Sequence, residues 1–148
     1  MTRHRLTGRL TVALPPDQAF VLFTARGEER WAAGWAPSFP VPTPDDAAPG
    51  TVFETGGHHA TTTTWLVVDS EPGRHIRYAR VTPQVSAGTV DVRLDRTAAG
   101  TTVTVTYHLT PLGEEATAHL DAFAAGYQDF LASWQTSIEA ALAKPATR

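Results

Sequence analysis

The segment GTVDVRLDRTAAGTTVTVTYHL, residues 88–109, indicates the fold most directly. Hydrophobic side chains fall on every second position, with Val90, Val92 and Leu94 before the central AAG and Val103, Val105, Tyr107 and Leu109 after it. A period of two is typical of strands that bury one face. The residues Ala98-Ala99-Gly100 provide a tight turn between the two runs. The segment therefore predicts an antiparallel hairpin with one apolar face.

Four segments upstream of this hairpin also predict strands. They span residues 6–14, 51–55, 61–68 and 75–81, and they are rich in alternating or β-branched residues. Glu71-Pro72-Gly73-Arg74 separates the last two and has Pro and Gly at the positions that a type II turn favours. We therefore expect an antiparallel sheet of about six strands.

Two short helices are predicted after the first strand. Pro15-Pro16-Asp17 ends that strand and begins a helix, because a proline and an acid suit the first helical turn. Thr24 is a candidate N-cap for a second helix, which carries Trp31 and ends at Gly34. The proline-rich residues 36–50 that follow predict a stiff loop.

The hydrophobic period changes to three or four residues after residue 113, which indicates one long amphipathic helix. Its apolar positions are Leu120, Phe123, Tyr127, Phe130, Leu131, Trp134, Ile138 and Leu142. Gly126 is its weakest helix former. A sheet with one apolar face must cover that face, and this helix is long enough to do so. Residues 1–148 are thus predicted to form a single α+β domain, a curved antiparallel sheet wrapped around the C-terminal helix with a hollow between them.

Composition excludes several classes of function. The 12 Lys and Arg residues against 15 Asp and Glu give a net charge of −3, so we expect neither a nucleic-acid partner nor membrane insertion. The absence of cysteine excludes disulfides and sulfur-based zinc sites. The first residues lack the apolar run of a signal peptide, so we expect a cytoplasmic protein, monomeric or weakly homodimeric. Abundant Ala and Arg without Asn are typical of a GC-rich bacterial genome.

Several stretches resemble a known family. They are LPPDQAFVLFT (residues 14–24), GEERWAAGWAPSFP (27–40), TTWLVVDSEPGRHIRYARVTP (63–83) and the aromatic C-terminal helix. Together with the order of elements, they make the chain similar to the SRPBCC, or START-like, helix-grip superfamily, which includes polyketide cyclase/dehydratase-like and birch-pollen-allergen-like proteins. The resemblance implies an interior cavity that binds a small hydrophobic or aromatic molecule. A minority of such proteins catalyse cyclisation or dehydration, and one branch consists of co-chaperones. We expect no cofactor.

His58 and His59 precede a threonine-rich strand. Adjacent residues of a regular strand point to opposite faces, so both can bind one metal ion only if Gly56-Gly57 bulges the backbone. Because HExxH spacing is missing and only Glu54 is a candidate third ligand, we expect no metal site. If the strand is regular, His59 shares the inward face with Trp65. Alternatively, both histidines lie in a solvent-exposed loop.

Arg77 and Arg80 are three residues apart, so in a regular strand one of them points inward. The apolar area of Ile76 and Tyr78 favours Arg80 as the inward residue. A buried guanidinium must be paired or hydrogen-bonded. The candidate partners are Glu54, a water molecule and an anionic group of a ligand, and a salt bridge at the end of the sheet is the alternative that requires no ligand.

Aromatic residues of the C-terminal helix fall into two predicted groups. We expect Phe130 and Trp134 to be plain core, and Phe123 and Tyr127 to border the hollow. The predicted ligand-binding residues are therefore Phe53, His59, Thr63, Trp65, Tyr78, Arg80, Val92, Tyr107, Phe123 and Tyr127.

The leading functional prediction is a protein that binds a small hydrophobic or aromatic molecule in this hollow. The alternative is a cyclase- or dehydratase-like enzyme, a lyase or isomerase. In that case His59 is the general base, and Arg80 with Tyr78 stabilises an enolate or alkoxide oxygen. The third hypothesis is a co-chaperone-like interaction module. Outward strand faces rich in Thr, Arg and Asp argue against it.

Overall fold

The computed structural model describes residues 2–56 and 61–144, which form a six-stranded sheet, three α-helices and a short 3-10 helix. The elements in chain order are β1 (His4–Val12), α1 (Pro16–Val21), the 3-10 helix (Gly27–Arg30), β2 (Val52–Thr55), β3 (Thr63–Glu71), β4 (His75–Thr82), β5 (Ser86–Thr97), β6 (Gly100–Pro111), α2 (Glu114–Ala125) and α3 (Tyr127–Ala143). The predicted α+β class is confirmed, as are the two short helices after the first strand.

All neighbouring strands are antiparallel, in the order β1-β6-β5-β4-β3-β2. The turn between β3 and β4 has the predicted type II features. The Arg74 backbone N–H donates to the Glu71 carbonyl at 2.9 Å, and Gly73 has a φ of 81°. Beyond this turn, a register shift between Val67 and Asp69 places Trp65 directly opposite Arg80.

Helix α3 covers the inner face of the sheet. Its Leu131 and Ile138 are buried against that face, and each such side chain stabilises the fold by roughly 1.5–3 kcal/mol. Gly8 of β1 permits the close approach, because a Cβ atom added there would lie 2.5 Å from Leu131 Cδ1. The main core therefore lies between α3 and the alternating apolar residues of the strands.

The C-terminal helical region is divided at Gly126, a break that the periodicity alone did not predict. Helix α2 ends at Ala125 and α3 begins at Tyr127, and the intervening glycine has φ −97° and ψ 11°. Glycine costs about 1 kcal/mol relative to alanine within a helix, so a change of direction is least costly there. The long α3 is the helix that the sheet packs against.

The outward face of β2, β3 and β4 is less polar than predicted. Exposed hydrophobic side chains on these strands are Val52, Leu66, Val68 and Val81. Val52 and Leu66 are cross-strand partners, and a bulge between Val67 and Asp69 interrupts the register of β3. The outward faces of these three strands therefore carry several exposed hydrophobic residues among their polar ones.

Candidate functional site

An inner cavity of about 510 Å³ lies between the sheet, the 3-10 helix and α3. The predicted binding residues that line it are Trp65, Tyr78, Arg80, Val92 and Tyr107. Phe123 instead lines a side hollow of about 230 Å³ toward α2. The two spaces share Arg80, Tyr107 and Phe130, so these three side chains stand at the junction between them.

A wider groove of about 1110 Å³ lies at the other end of the sheet, between α1, the end of β1 and the end of α3. Within the described part of the chain, no aromatic residue and none of the predicted binding residues lines it. Recognition of small molecules generally needs a concave apolar surface with a few convergent polar groups. The inner cavity meets that description, and it is the candidate site.

Phe53 and Thr63 lie behind the cavity wall, so the structure does not place them in the set that lines it. Phe53 is fully buried, and its ring stacks on Trp65 with centroids 5.8 Å apart and an interplanar angle of 2°. The hydroxyl groups of Thr63 and Thr82 are 2.7 Å apart and hydrogen-bonded. Both predicted binding residues therefore support the residues that face the cavity.

The aromatic residues of α3 have roles opposite to those predicted, since Tyr127 is in the core and Phe130 and Trp134 line the cavity. The Tyr127 hydroxyl donates to the Val105 carbonyl at 2.6 Å, which makes Tyr127 a core residue away from the cavity lining. Phe130 and Trp134 are half-buried and line the cavity, so the prediction that they are plain core is wrong. Periodicity identified the apolar stripe, but it did not show which residues of the stripe line the cavity.

Arg80 has an incompletely satisfied guanidinium at the cavity wall. Its Nη2 donates to Thr82 Oγ1 at 3.2 Å, and its Cζ lies 4.9 Å from the centroid of the Trp65 ring. Its Nε is buried and has no hydrogen-bond partner among residues 2–56 and 61–144. Burial lowers the pKa of Arg80 from its usual value. Arg77, in contrast, is exposed and donates to Asp91 at 2.7 Å, so the predicted inward orientation of Arg80 is confirmed.

Tyr78 and Tyr107 both line the cavity, but only one has a free hydroxyl. The Tyr78 hydroxyl donates to the Phe23 carbonyl at 2.7 Å, so it is poorly placed for the oxyanion role predicted for it. The Tyr107 hydroxyl forms no hydrogen bond within the described ranges. Burial raises the pKa of Tyr107, and the Arg80 charge opposes that rise. Tyr107 is therefore the better candidate to donate a hydrogen bond beside Arg80.

Glu28 is a cavity residue that the sequence analysis missed. It belongs to the 3-10 helix, and its side chain lines the same cavity as Arg80. Burial raises the pKa of the Glu28 carboxyl well above its usual value, which favours the neutral acid. In the sequence Glu28 stands beside Glu29 at the start of a short helix, where acidic residues are common. The one signal that could have pointed to a cavity position is its spacing of three residues from Trp31.

Glu28→Gln should stabilise the protein at neutral pH. Because the pKa of Glu28 is raised on folding, the folded protein binds more protons than the unfolded chain once the pH exceeds the usual carboxyl value of about 4.3. This group therefore destabilises the fold progressively as the pH rises, and the glutamine variant removes that penalty. Urea melts should show a gain for Glu28→Gln at about pH 7 that shrinks toward about pH 4. Glu29→Gln, at the exposed neighbour, should change stability little, and an equal gain at both pH values would contradict the burial of Glu28.

The two adjacent histidines, His58 and His59, lie outside the described residues, so their predicted roles stay predictions. Among residues 2–56 and 61–144, no group of three His, Asp or Glu residues lies close enough to hold a metal ion.

The comparisons with known proteins agree with this architecture. Residues 3–139 match the sequence profile of the family described as polyketide cyclase / dehydrase and lipid transport. The protein belongs to this family. Among proteins with a curated function, none matches the chain.

Several solved structures share this fold at low sequence identity. MLL2253 from Mesorhizobium loti superposes with a TM-score of 0.68 at 15% identity, covering 92% of this chain and 97% of that one. The Aha1 dimer from Colwellia psychrerythraea gives 0.65 at 14%, covering 92% and 96%. DynU16, from the dynemicin biosynthetic locus, gives 0.64 at 19%, covering 91% of this chain and 47% of its own. Across the described ranges, no helix of this family member is long and apolar enough to cross a membrane.

Proposed function

We propose that this protein binds a small hydrophobic or aromatic molecule that carries an anionic oxygen, such as a carboxylate or phenolate. The observation that supports the proposal is the partly buried guanidinium of Arg80, which lines an aromatic cavity and contacts only Thr82 and the Trp65 ring in the described part of the chain. A buried guanidinium is costly unless it is paired, and an anionic ligand oxygen in the cavity would provide the partner. The family fold supports an interior ligand.

The cavity wall selects for flat rings. Trp31, Trp35, Trp65 and Trp134 all contribute to it, and rings pack favourably against such surfaces in offset or edge-to-face contact. Arg80 then pairs with the acidic group through a charge-assisted hydrogen bond, and Tyr107 donates a second one. A cavity of about 510 Å³ falls within the range typical of small-molecule sites.

A cavity-filling substitution tests this function. Ser137 lines the cavity from α3, whereas the neighbouring Thr136 is exposed. Ser137→Phe should weaken the binding of 2-naphthoate roughly tenfold or more, because the new ring occupies the ligand volume. Isothermal titration calorimetry measures this change, with Thr136→Phe as the matched control. Equal affinity in both variants would place 2-naphthoate elsewhere on the protein. Native mass spectrometry of gently purified protein would identify any natural ligand that remains bound.

A cyclase- or dehydratase-like reaction is the second candidate, and one observation favours it. Glu28 and Arg80 line the same cavity, so a carboxyl group with a raised pKa adjoins the space that Arg80 makes suitable for an oxyanion. In its ionised form Glu28 would remove the α proton, and Arg80 with Tyr107 would stabilise the resulting enolate oxygen. The protonated Glu28 would then give the proton to the β-hydroxyl, which leaves as water when the enolate collapses to the double bond. Loss of water from an aromatic β-hydroxy ketone, detected by mass spectrometry and absent in Glu28→Gln, would establish catalysis.

A further inference from the structure

Some polar groups around the inner cavity already form hydrogen bonds within the protein, whereas others remain free to bind a ligand. The indole N–H groups of Trp31, Trp35 and Trp65 donate to Leu22 O, Ala25 O and Thr55 Oγ1 respectively, at 2.7–2.9 Å. The Tyr78 hydroxyl donates to the Phe23 carbonyl. These side chains therefore present their ring surfaces to the cavity rather than their hydrogen-bonding atoms.

Glu28 is among the groups that stay available. Within the described residues, its carboxyl forms neither a hydrogen bond nor an ion pair, although it lines the cavity. Arg80 lines the same cavity but contacts Trp65 and Thr82 instead of this carboxyl. The available polar groups thus lie in two regions of the cavity, with Glu28 on the 3-10 helix and Arg80 and Tyr107 on the sheet.

We propose that Glu28 determines ligand specificity by hydrogen-bonding a second oxygen of the ligand, a hydroxyl or carbonyl remote from the acidic group that Arg80 holds. The inference rests on the proposed function, because it assumes that the ligand's acidic group pairs with Arg80. It narrows the ligand class to aromatic monoacids that carry a hydroxyl or keto oxygen away from the acid.

The electrostatics of the cavity agree with this division of roles. Burial raises the pKa of Glu28 and so favours its neutral form, in which the carboxyl offers an O–H donor together with a carbonyl acceptor. The pKa of Tyr78 is raised mainly by burial and, to a smaller extent, by the negative charge that Glu28 carries when it is ionised. The Glu28 carboxyl therefore lies close enough to Tyr78 for an electrostatic interaction. A neutral acid accepts or donates to a hydroxyl without repelling an anionic ligand, and Arg80 alone then provides the charge.

A set of three matched ligands tests the inference. Isothermal titration calorimetry would compare 2-naphthoate with 6-hydroxy-2-naphthoate and 7-hydroxy-2-naphthoate. Wild-type protein should bind the better hydroxy isomer roughly tenfold more tightly than 2-naphthoate, the effect of about one hydrogen bond. Glu28→Leu should lose that preference, so that the variant binds 2-naphthoate and the hydroxy isomers with about equal affinity. Glu28→Gln, which keeps a neutral donor and acceptor, should retain most of it. Glu29→Leu, at the exposed neighbouring residue, should leave the preference unchanged.

The outcomes separate this inference from the proposed function. If wild-type protein binds 2-naphthoate but prefers neither hydroxy isomer, or if Glu28→Leu keeps the preference, Glu28 does not set specificity and the proposed function stands. If none of the three acids binds, the proposed function fails and the inference fails with it. Should Glu28→Leu not fold, as judged by circular dichroism, loss of the preference in Glu28→Gln would overturn the inference.

Discussion

Phe53→Ala should lower the free energy of unfolding by about 3–5 kcal/mol, the range for truncating a fully buried phenylalanine. Phe53 lies at the centre of an aromatic cluster, with the rings of Trp35, Phe39, Trp65 and Tyr78 at centroid distances of 5.7–6.1 Å. These neighbours belong to different segments of the chain, so they cannot all collapse into the space that the ring leaves. The cavity term therefore adds to the lost transfer free energy.

Urea melts with several variants would locate this effect. Val52→Ala, at the exposed neighbouring residue, should cost less than about 1 kcal/mol. Trp134→Ala should cost less than Phe53→Ala, because Trp134 is half-buried and already borders the cavity. A loss below about 1 kcal/mol for Phe53→Ala would mean that the cluster repacks, contrary to the rigid stack seen on Trp65.

Arg80→Ala should weaken the binding of anionic ligands by about 2–5 kcal/mol. This corresponds to a factor of at least about 30 in affinity. The expected loss is large because the guanidinium is the charged group that faces the cavity next to Trp65, and low-dielectric surroundings strengthen its attraction for a carboxylate. The measurement is calorimetric titration with 2-naphthoate.

Two controls distinguish ligand binding from support of the sheet. The amide 2-naphthamide has nearly the same shape without the charge, so its affinity should fall much less in Arg80→Ala. Arg77→Ala removes an arginine from the same strand, but its exposed side chain pairs with Asp91 and should not affect either ligand. Equal losses for the acid and the amide would show that Arg80 holds the sheet in shape and does not contact the ligand's charge.

Local patterns were sufficient to predict the elements of the fold. The alternation in residues 88–109, the type II turn at Glu71–Arg74 and the change of period before α2 each depend on neighbouring residues only. The alternation of side chains along β4 also predicted the inward orientation of Arg80 correctly, because a side chain on a regular strand lies on one of two faces. These features need no knowledge of the rest of the chain.

Membership of the candidate site depended on contacts between distant segments. Tyr78 and Tyr107 face the same cavity, but only the position of the Phe23 carbonyl decides which hydroxyl is already used. Glu28 enters the site because its short helix folds over the cavity rather than toward solvent.

The sequence by itself therefore determined the α+β fold, the family and the inward face of β4. Only the tertiary structure decided that Phe53 supports Trp65 rather than lining the cavity, and that Glu28 joins Arg80 there. The reason is physical. Secondary structure follows from backbone geometry and short-range periodicity, whereas the surroundings of a polar side chain are set by residues far away in the sequence.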